Sequence, residues 1–410
     1  LVGGDAPWPD PGETDAVSYA PLDGDASCDV VVLGAGITGA ICAALLVDEG
    51  LDVMLLDKHT VASGSTSANT ALLLFEPDQP LHRLSEMLGT QDADTVYRLC
   101  HEALDDVARL ARRVDEWDGS GGNGTRFAWR PSLILASKSG DIGSLYREFE
   151  ARLRHGYPTA LLKREELESR YSFSAPAALW SRHAAQMDPY RFTRGLVAEA
   201  AGRGLRVHER TAVVDYEPEH ERAVLTTECG HHVRARHLIF ATGYETERYT
   251  SRKLAQDNTT FAILTDPLEE IAGWPDRALI WETAESYIYL RVTDDSRVLI
   301  GGLDEKTVDA GRRDAILPGK SEQLLTRLRT MFPDIDTRVA RAWTGTFLTT
   351  HDSLPYIGQL PEAPHAWFAL AYGGNGTTFA MIAATMLRDA ISGRPRAEAE
   401  LFRFDRPTAR

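Results

Sequence analysis

Hydrophobic positions near the start of the chain fall into two registers. Val30 to Leu33 is an unbroken apolar run, the pattern of a strand buried on both faces of a parallel sheet, and Leu51 to Leu56, apolar apart from Asp52, returns as a strand. Between them, Ile37 to Asp48 is apolar and long enough for a helix, which Gly50 stops. Gly34, Gly36 and Gly39 occupy the turn from strand to helix as G-x-G-x-x-G. The first glycine permits the tight turn, the second brings backbone close to a pyrophosphate, and the third lets helix sit against strand. Asp57, at the end of the return strand, stands where a carboxylate accepts hydrogen bonds from an adenosine ribose. The spacing predicts a dinucleotide site lined by Gly34, Gly36, Ile37, Thr38, Gly39, Asp57 and Lys58, with the pyrophosphate at the amide-rich helix end.

Beyond this unit the pattern changes. Residues 1–27, rich in Pro, Gly and Asp, predict an extended surface arm. Polar helical stretches are expected over Leu81 to Val114, followed by a loop from Asp118 to Gly124, a strand from Phe127 to Ala136, and helices at Ile142 to Arg154 and Arg164 to Arg170. Asp188 can cap a helix that has Pro189 in its first turn and runs to about Ala201. Val207 to Val213, Ala223 to Thr227 and His232 to Phe240 are short β segments at hairpin spacing. Phe261 to Leu264, then Ser286 to Val292 and Arg297 to Gly301 turning at Asp294 and Asp295, suggest a second, mixed sheet. Pro318 to Phe332 and Thr377 to about Ile391 predict two further helices, the second preceded by a strand at Trp367 to Tyr372. Helices followed by a β-meander argue against an NAD dehydrogenase, whose first unit continues with further β-α crossovers.

Composition narrows the setting. With 410 residues and 43% hydrophobic positions, two interleaved domains are expected. A formal charge of -16 disfavours nucleic acid and anionic membrane as partners. No stretch reaches the ~18 apolar residues of a membrane span, and the start of the chain lacks a basic segment leading into an apolar one, so the expected location is the cytoplasm. Cys28, Cys42, Cys100 and Cys229 are widely spaced with no C-x-x-C, which favours free thiols and no metal site.

Five stretches in order resemble the D-amino-acid-oxidase superfamily of flavoproteins, the group with glycine oxidase, sarcosine oxidase and gamma-glutamylputrescine oxidase. They are GAGITG with Asp57 and Lys58; SGSTSANTALL from Ser63; MDPYRF from Met187; LIFATGY from Leu238; and THDSLPYIG from Thr350 paired with YGGNGTTFA from Tyr372. The resemblance covers roughly residues 25–405. It implies an α/β fold: an FAD-binding Rossmann-like domain, with parallel sheet and β-meander, interleaved with an α+β substrate domain built on a mixed sheet. The expected division assigns 28–80, 186–255 and 340–410 to FAD, and 81–185 and 256–339 to substrate. It also implies contacts to FAD from Ser65, Thr66, Asn69, Thr70, Val213, Ala241, Thr242 and Gly243. Gly373, Gly374, Asn375, Gly376 and Thr377 would complete the set by leading into a helix whose positive end faces flavin N1 and O2, where negative charge gathers on reduction.

Departures from the family refine the chemistry. Members that bind flavin through cysteine carry it where this chain has Gly345, and those that use histidine carry it where this chain has Ala68, so FAD is expected to be non-covalent. Small-amino-acid oxidisers bring arginines to the substrate carboxylate where this chain has Phe347 and Gly374. The substrate is then an amine, an N-substituted amino acid, or an amino acid held by another arginine such as Arg291 or Arg130. Tyr287, Tyr289 and Arg291 alternate onto one strand face that can line a pocket, and His351 and Tyr244 are further candidates. The expected reaction is hydride transfer from the carbon beside a substrate nitrogen to flavin, giving an imine that hydrolyses. Dioxygen or another carrier would accept the electrons, in a monomer or homodimer, and no side chain is singled out as catalytic. A flavin hydroxylase or halogenase and a non-catalytic FAD-binding protein are the alternatives.

Overall fold

The computed structural model describes residues 2–8, 17–119, 124–218, 222–250, 253–370 and 372–406. Val30 to Leu33 ends the strand Ala26–Leu33, which pairs in parallel with Val53–Leu56 on one side and His232–Phe240 on the other. Alternation decides what each face buries. Val30 and Val32 pack with helices Ile37–Asp48, Thr90–Trp117, Pro189–Gly202 and Gly376–Ile391, while Val31 and Leu33 pack with Ala223, Leu225 and Phe240 of the meander. The whole sheet has eight strands, in the order Tyr356–Leu360, Ala363–Leu370, His232–Phe240, Ala26–Leu33, Val53–Leu56 and Arg206–His208, with the hairpin Val213–Pro218 and Ala223–Thr227 added at His232–Phe240.

The expected single segment from Val207 to Val213 is therefore two. Arg206–His208 extends the parallel sheet, the chain turns at Arg210 (φ 48°), and Val213–Pro218 begins the hairpin. Buried Glu209 fixes this turn by accepting from the amides of Val61 (2.9 Å) and Tyr19 (3.2 Å). Those partners lie far away in sequence, so local periodicity does not reveal the break.

The second sheet has ten strands and is mixed. Its long pair toward one edge, Gln256–Thr265 and Val339–Thr349, is antiparallel, and Ile288–Val292 pairs with Val298–Glu305. Leu72–Leu74 and Val339–Thr349 pair into this sheet, although the sequence grouped residues 72–74 and 340–349 with the nucleotide unit. The N-terminal arm is not merely laid on the surface: Val2–Gly4 is an edge strand on Val339–Thr349, and Trp8 is buried. The helix expected from Pro318 begins earlier, at Ala310, because the Asp309 carboxylate caps it by accepting from the Arg312 amide (2.7 Å). Gly89, at φ 91°, breaks the expected helical stretch into Leu81–Leu88 and Thr90–Trp117. Of the loop expected at residues 118–124, residues 120–123 lie outside the described residues. No helix is long and apolar enough to cross a membrane among the described residues.

Candidate active site

The first glycine turn leaves no room for side chains. Gly34 has φ 100°, and a Cβ there would lie 2.5 Å from the Ala241 carbonyl oxygen, while a Cβ on Gly39 would overlap the Gly34 carbonyl oxygen. The Ile37 amide, first in its helix, donates to the Thr66 hydroxyl (3.0 Å), which joins the serine/threonine stretch to the turn. Asp57 closes the unit: one carboxylate oxygen accepts from the Ala35 amide and the other from the His59 amide, both at 2.7 Å. Burial raises its carboxyl above the ordinary range. Across the turn, the Ala241 amide donates to the Leu33 carbonyl (2.9 Å), and the Thr242 hydroxyl meets that of Thr246 at 3.0 Å. Gly243 has φ 59° and faces the Ser65 hydroxyl, which also bonds the Tyr244 phenol. Lys58 pairs with Glu245 at 2.6 Å, so its charge is directed across this loop. Val213 begins the hairpin, two residues after Thr211, whose amide donates to the Asp57 carbonyl (2.8 Å).

A second turn is built by long-range hydrogen bonds. Asn375 donates from Nδ2 to the carbonyls of Leu74 and Glu76, each at 3.0 Å, and its Oδ1 accepts from the Thr378 hydroxyl. Asn69 Nδ2 donates to the Thr377 hydroxyl (3.2 Å), and the Gly374 amide donates to an Asp78 carboxylate oxygen (3.0 Å). Gly373, at φ 63°, places its amide on the Leu348 carbonyl (3.0 Å). The start of helix Gly376–Ile391 is thereby fixed against the segment from Asn69 to Asp78.

The tyrosine strand borders this turn. A Cβ on Gly374 would lie 3.1 Å from Asp78 Oδ1 and 3.4 Å from the Tyr287 hydroxyl. The Tyr289 ring covers Gly301, and its hydroxyl lies 3.3 Å from that of Thr260. Arg291, on the same face, is buried and turned elsewhere: Nε donates to the Thr70 carbonyl (2.6 Å) and Nη2 to that of Met187 (3.3 Å), with Trp8 stacked 5.9 Å away. Burial pulls its guanidinium down to about 10. Phe347 is half-buried on the strand face it shares with Trp343 and Gly345, and His351 is exposed past the strand end. Arg130 lies in a different place, an open cleft of about 750 Å³ lined also by Trp129, Trp180, Arg182 and Arg277. The sequence pattern did not single out Trp8, Asp78, Thr260 or Asp304. Asp78 lies in the turn sequence FEPDQP, which reads as a linker, and Asp304 comes two positions after a pair of glycines on a strand.

One other grouping brings ligand-type atoms together among the described residues: His101, Asp105 and His183, within 4.8 Å of one another. The two imidazoles are stacked, with centroids 3.7 Å apart and planes 8° apart, so their in-plane lone pairs run side by side and do not converge on an ion.

The family profile described as "FAD dependent oxidoreductase" matches residues 29–390. This chain belongs to that family. It is 21% identical to the putative Rieske 2Fe-2S iron-sulfur protein YhfW of Bacillus subtilis, over 95% of this chain and 73% of that protein. It is 24% identical to gamma-glutamylputrescine oxidoreductase of Escherichia coli, over 94% of this chain and 88% of the relative. Among solved structures, glycine oxidase from Geobacillus kaustophilus superposes with a TM-score of 0.78 at 20% identity, covering 93% of this chain and 99% of that one.

FAD is the cofactor, and the residues present fit it. Gly34 and Gly39 leave no space for a Cβ in the turn that a pyrophosphate would approach, and the Gly373 to Gly376 turn would offer a helix N-terminus near the flavin. The two positions at which the resemblance would place a covalent link lie in contact with each other. A Cβ on Gly345 would lie 3.9 Å from that of Ala68, and neither residue carries a nucleophile.

Proposed function

We propose that this FAD-dependent oxidoreductase oxidises the C–N bond of a small amine or amino acid, with FAD bound non-covalently. The observation that carries the reading is the Gly373 to Gly376 turn, held by Asn375 and Asp78 directly beside the Tyr287 and Tyr289 strand. Names among its relatives point the same way, including gamma-glutamylputrescine oxidoreductase and glycine oxidase. Bound FAD supplies the hydride acceptor for the carbon next to the donor nitrogen.

The chain's own residues contribute binding and electrostatics. The N-terminus of helix Gly376–Ile391 favours negative charge at the turn. The Tyr287 and Tyr289 rings, 6.0 Å apart, stand beside it, and Trp343 is buried and locked by its indole N–H on the Ala68 carbonyl (3.0 Å), an apolar group packed against Tyr289. A neutral amine gives up hydride without an obligatory base, so no side chain is assigned a proton transfer. The resulting imine hydrolyses, and dioxygen or another carrier takes the electrons.

The test is anaerobic mixing of FAD-loaded protein with a panel of amines and amino acids. Loss of the flavin absorbance together with a carbonyl product supports the reading. A panel in which no CH–NH donor bleaches the flavin contradicts it.

A further inference from the structure

The cleft of about 750 Å³ that holds Arg130 is built on the other face of the ten-stranded sheet from Tyr289. Trp274 is buried with Ile288 and Leu290, and Trp180 packs against the same cluster, whereas Tyr289 packs with Ala68 and Trp343. Proline opens one side of the cleft. Pro131 has no amide for the strand ladder, and the pairing of Ala128–Leu135 with Ala177–Gln186 slips there: Arg130 opposes Ala184 and Ser132 opposes Ser181, so Pro131 faces both Arg182 and His183. Such a bulge re-aims side chains, and Arg130 and Arg182 both line the cleft. The other side is a strained turn. Asp276 and Arg277 have φ of 57° and 48°, two consecutive left-handed residues with no glycine. Long-range contacts hold them there: the Trp274 indole donates to the Ala278 carbonyl (2.8 Å) and its ring stacks on Phe332 at 4.4 Å, while Arg277 donates to the Thr293 carbonyl (3.2 Å) and the Ser296 hydroxyl (3.0 Å).

The charges in this cleft are unbalanced. In a chain of formal charge -16, arginines elsewhere on the surface pair with carboxylates, as Arg203 does with Glu199 (2.7 Å) and Arg206 with Asp52 (2.8 Å). Arg130, Arg182 and Arg277 form no ion pair among the described residues. Arg130 gives Nη1 to the Trp129 carbonyl (3.1 Å), and the Arg182 guanidinium, exposed, lies over the Trp180 ring at 5.7 Å. Burial and the like charge of Arg277 pull the Arg130 guanidinium below its ordinary range. Asp294 partly offsets this, and Asp276 lines the cleft, but neither carboxylate is joined to an arginine here. Beside these cations Trp129 is 44% exposed, an unusual state for so large a ring. Guanidiniums short of a counter-ion next to open indole faces are complementary to an oxyanion carried on a flat apolar body.

We propose that this cleft is a second binding site, separate from the flavin site, for an aromatic anion. Its carboxylate or phosphate takes charge-assisted hydrogen bonds from Arg130 and Arg182, with the Arg277 charge behind them, and its ring lies against Trp129 and Trp180. The volume of about 750 Å³ is that of an ordinary small-molecule pocket. A cation in the same place would meet three arginines, and a neutral aromatic would leave their charge unanswered.

The test is calorimetry on the FAD-loaded protein with naphthoate, naphthyl phosphate, the neutral naphthylmethanol and inorganic phosphate, read beside the flavin absorbance spectrum. At least one aryl anion should bind about tenfold tighter than the alcohol or phosphate alone, the scale of one charged hydrogen bond, with the flavin spectrum unchanged. Whichever of the two binds tighter identifies the anionic group. Trp129→Ala and Arg182→Gln, both at exposed positions, and Arg130→Gln should each weaken that binding about tenfold while FAD content stays the same. Failure of both aryl anions to bind, equal binding of the alcohol or of phosphate alone, or an affinity that all three variants leave unaltered would overturn the site. An aryl anion that shifts the flavin spectrum and resists the variants sits at the flavin, which overturns it equally. No amine and no turnover enter the readout, so the result is independent of the oxidation proposed above.

Discussion

At the scale of single residues, the charged groups near the cofactor divide into those satisfied by backbone and those left wanting. Asp57 is of the first kind. Its two oxygens hold the amides of Ala35 and His59, so it shapes the crossover, and its remaining lone pairs are the ones proposed to meet a ribose. Asp57→Ala should weaken FAD binding about tenfold, which fluorescence titration of the apoprotein would show, and unchanged affinity would remove it from the site. Asp304 is of the second kind. Its carboxyl, raised to about 6 in the folded state, binds its proton more tightly there than in the unfolded chain. The stability this contributes is complete below the unfolded value near 4 and is lost as pH rises through about 6. Asp304→Asn should therefore stabilise the apoprotein at pH ~7.5 by about 1–2 kcal/mol, seen as a melting point a few degrees higher, and change little at pH ~4. A variant that melts lower at neutral pH would show the carboxylate to be stabilising.

At the scale of elements, loops that carry site residues are clamped by buried polar pairs. The stretch THDSLPYIG owes its form to Asp352, whose carboxylate accepts from the Thr350 hydroxyl (3.0 Å), the Leu354 amide (3.1 Å) and Arg406 through both oxygens (2.7 and 2.9 Å). Arg406 also stacks on Tyr356 at 3.9 Å and donates to the carbonyls of Leu354 and Pro355, so the segment at Arg406 and the start of strand Tyr356–Leu360 are locked together. Replacing Arg406 by Ala strands a buried carboxylate, and chemical denaturation should show a loss of about 3 kcal/mol. A loss below about 0.5 kcal/mol would mean the pair is solvated. The clamp also shows what sequence patterns carry. Gly34, Gly36, Gly39 and the 373–376 turn were legible because their meaning depends on spacing within a few residues. Asp352 and Arg406 stand 54 positions apart, and only the fold makes them partners.

At the scale of the whole molecule, two sheets meet at the segment from Asn69 to Asp78. Leu72–Leu74 pairs into the ten-stranded sheet, while Asn69 and the carbonyls of Leu74 and Glu76 hold the start of helix Gly376–Ile391, which packs on the eight-stranded one. The order of helices and strands made the nucleotide side readable, since each apolar run there is a complete strand or helix. The substrate side was less so. Ala177–Gln186, a long strand near one edge of the ten-stranded sheet, is alanine-rich with no β-branched residue, and Leu303 and Asp304 form a bulge that no period announces. The arrangement as a whole makes one central claim, that bound FAD removes hydride from the carbon beside a substrate nitrogen. It is tested most directly by single-turnover anaerobic reduction of the FAD-loaded protein with n-butylamine and with the same amine deuterated at that carbon. Flavin bleaching that slows with deuterium and yields butanal is the predicted result. Bleaching at equal rates with no carbonyl product, or none with this or any other amine or amino acid, would contradict it.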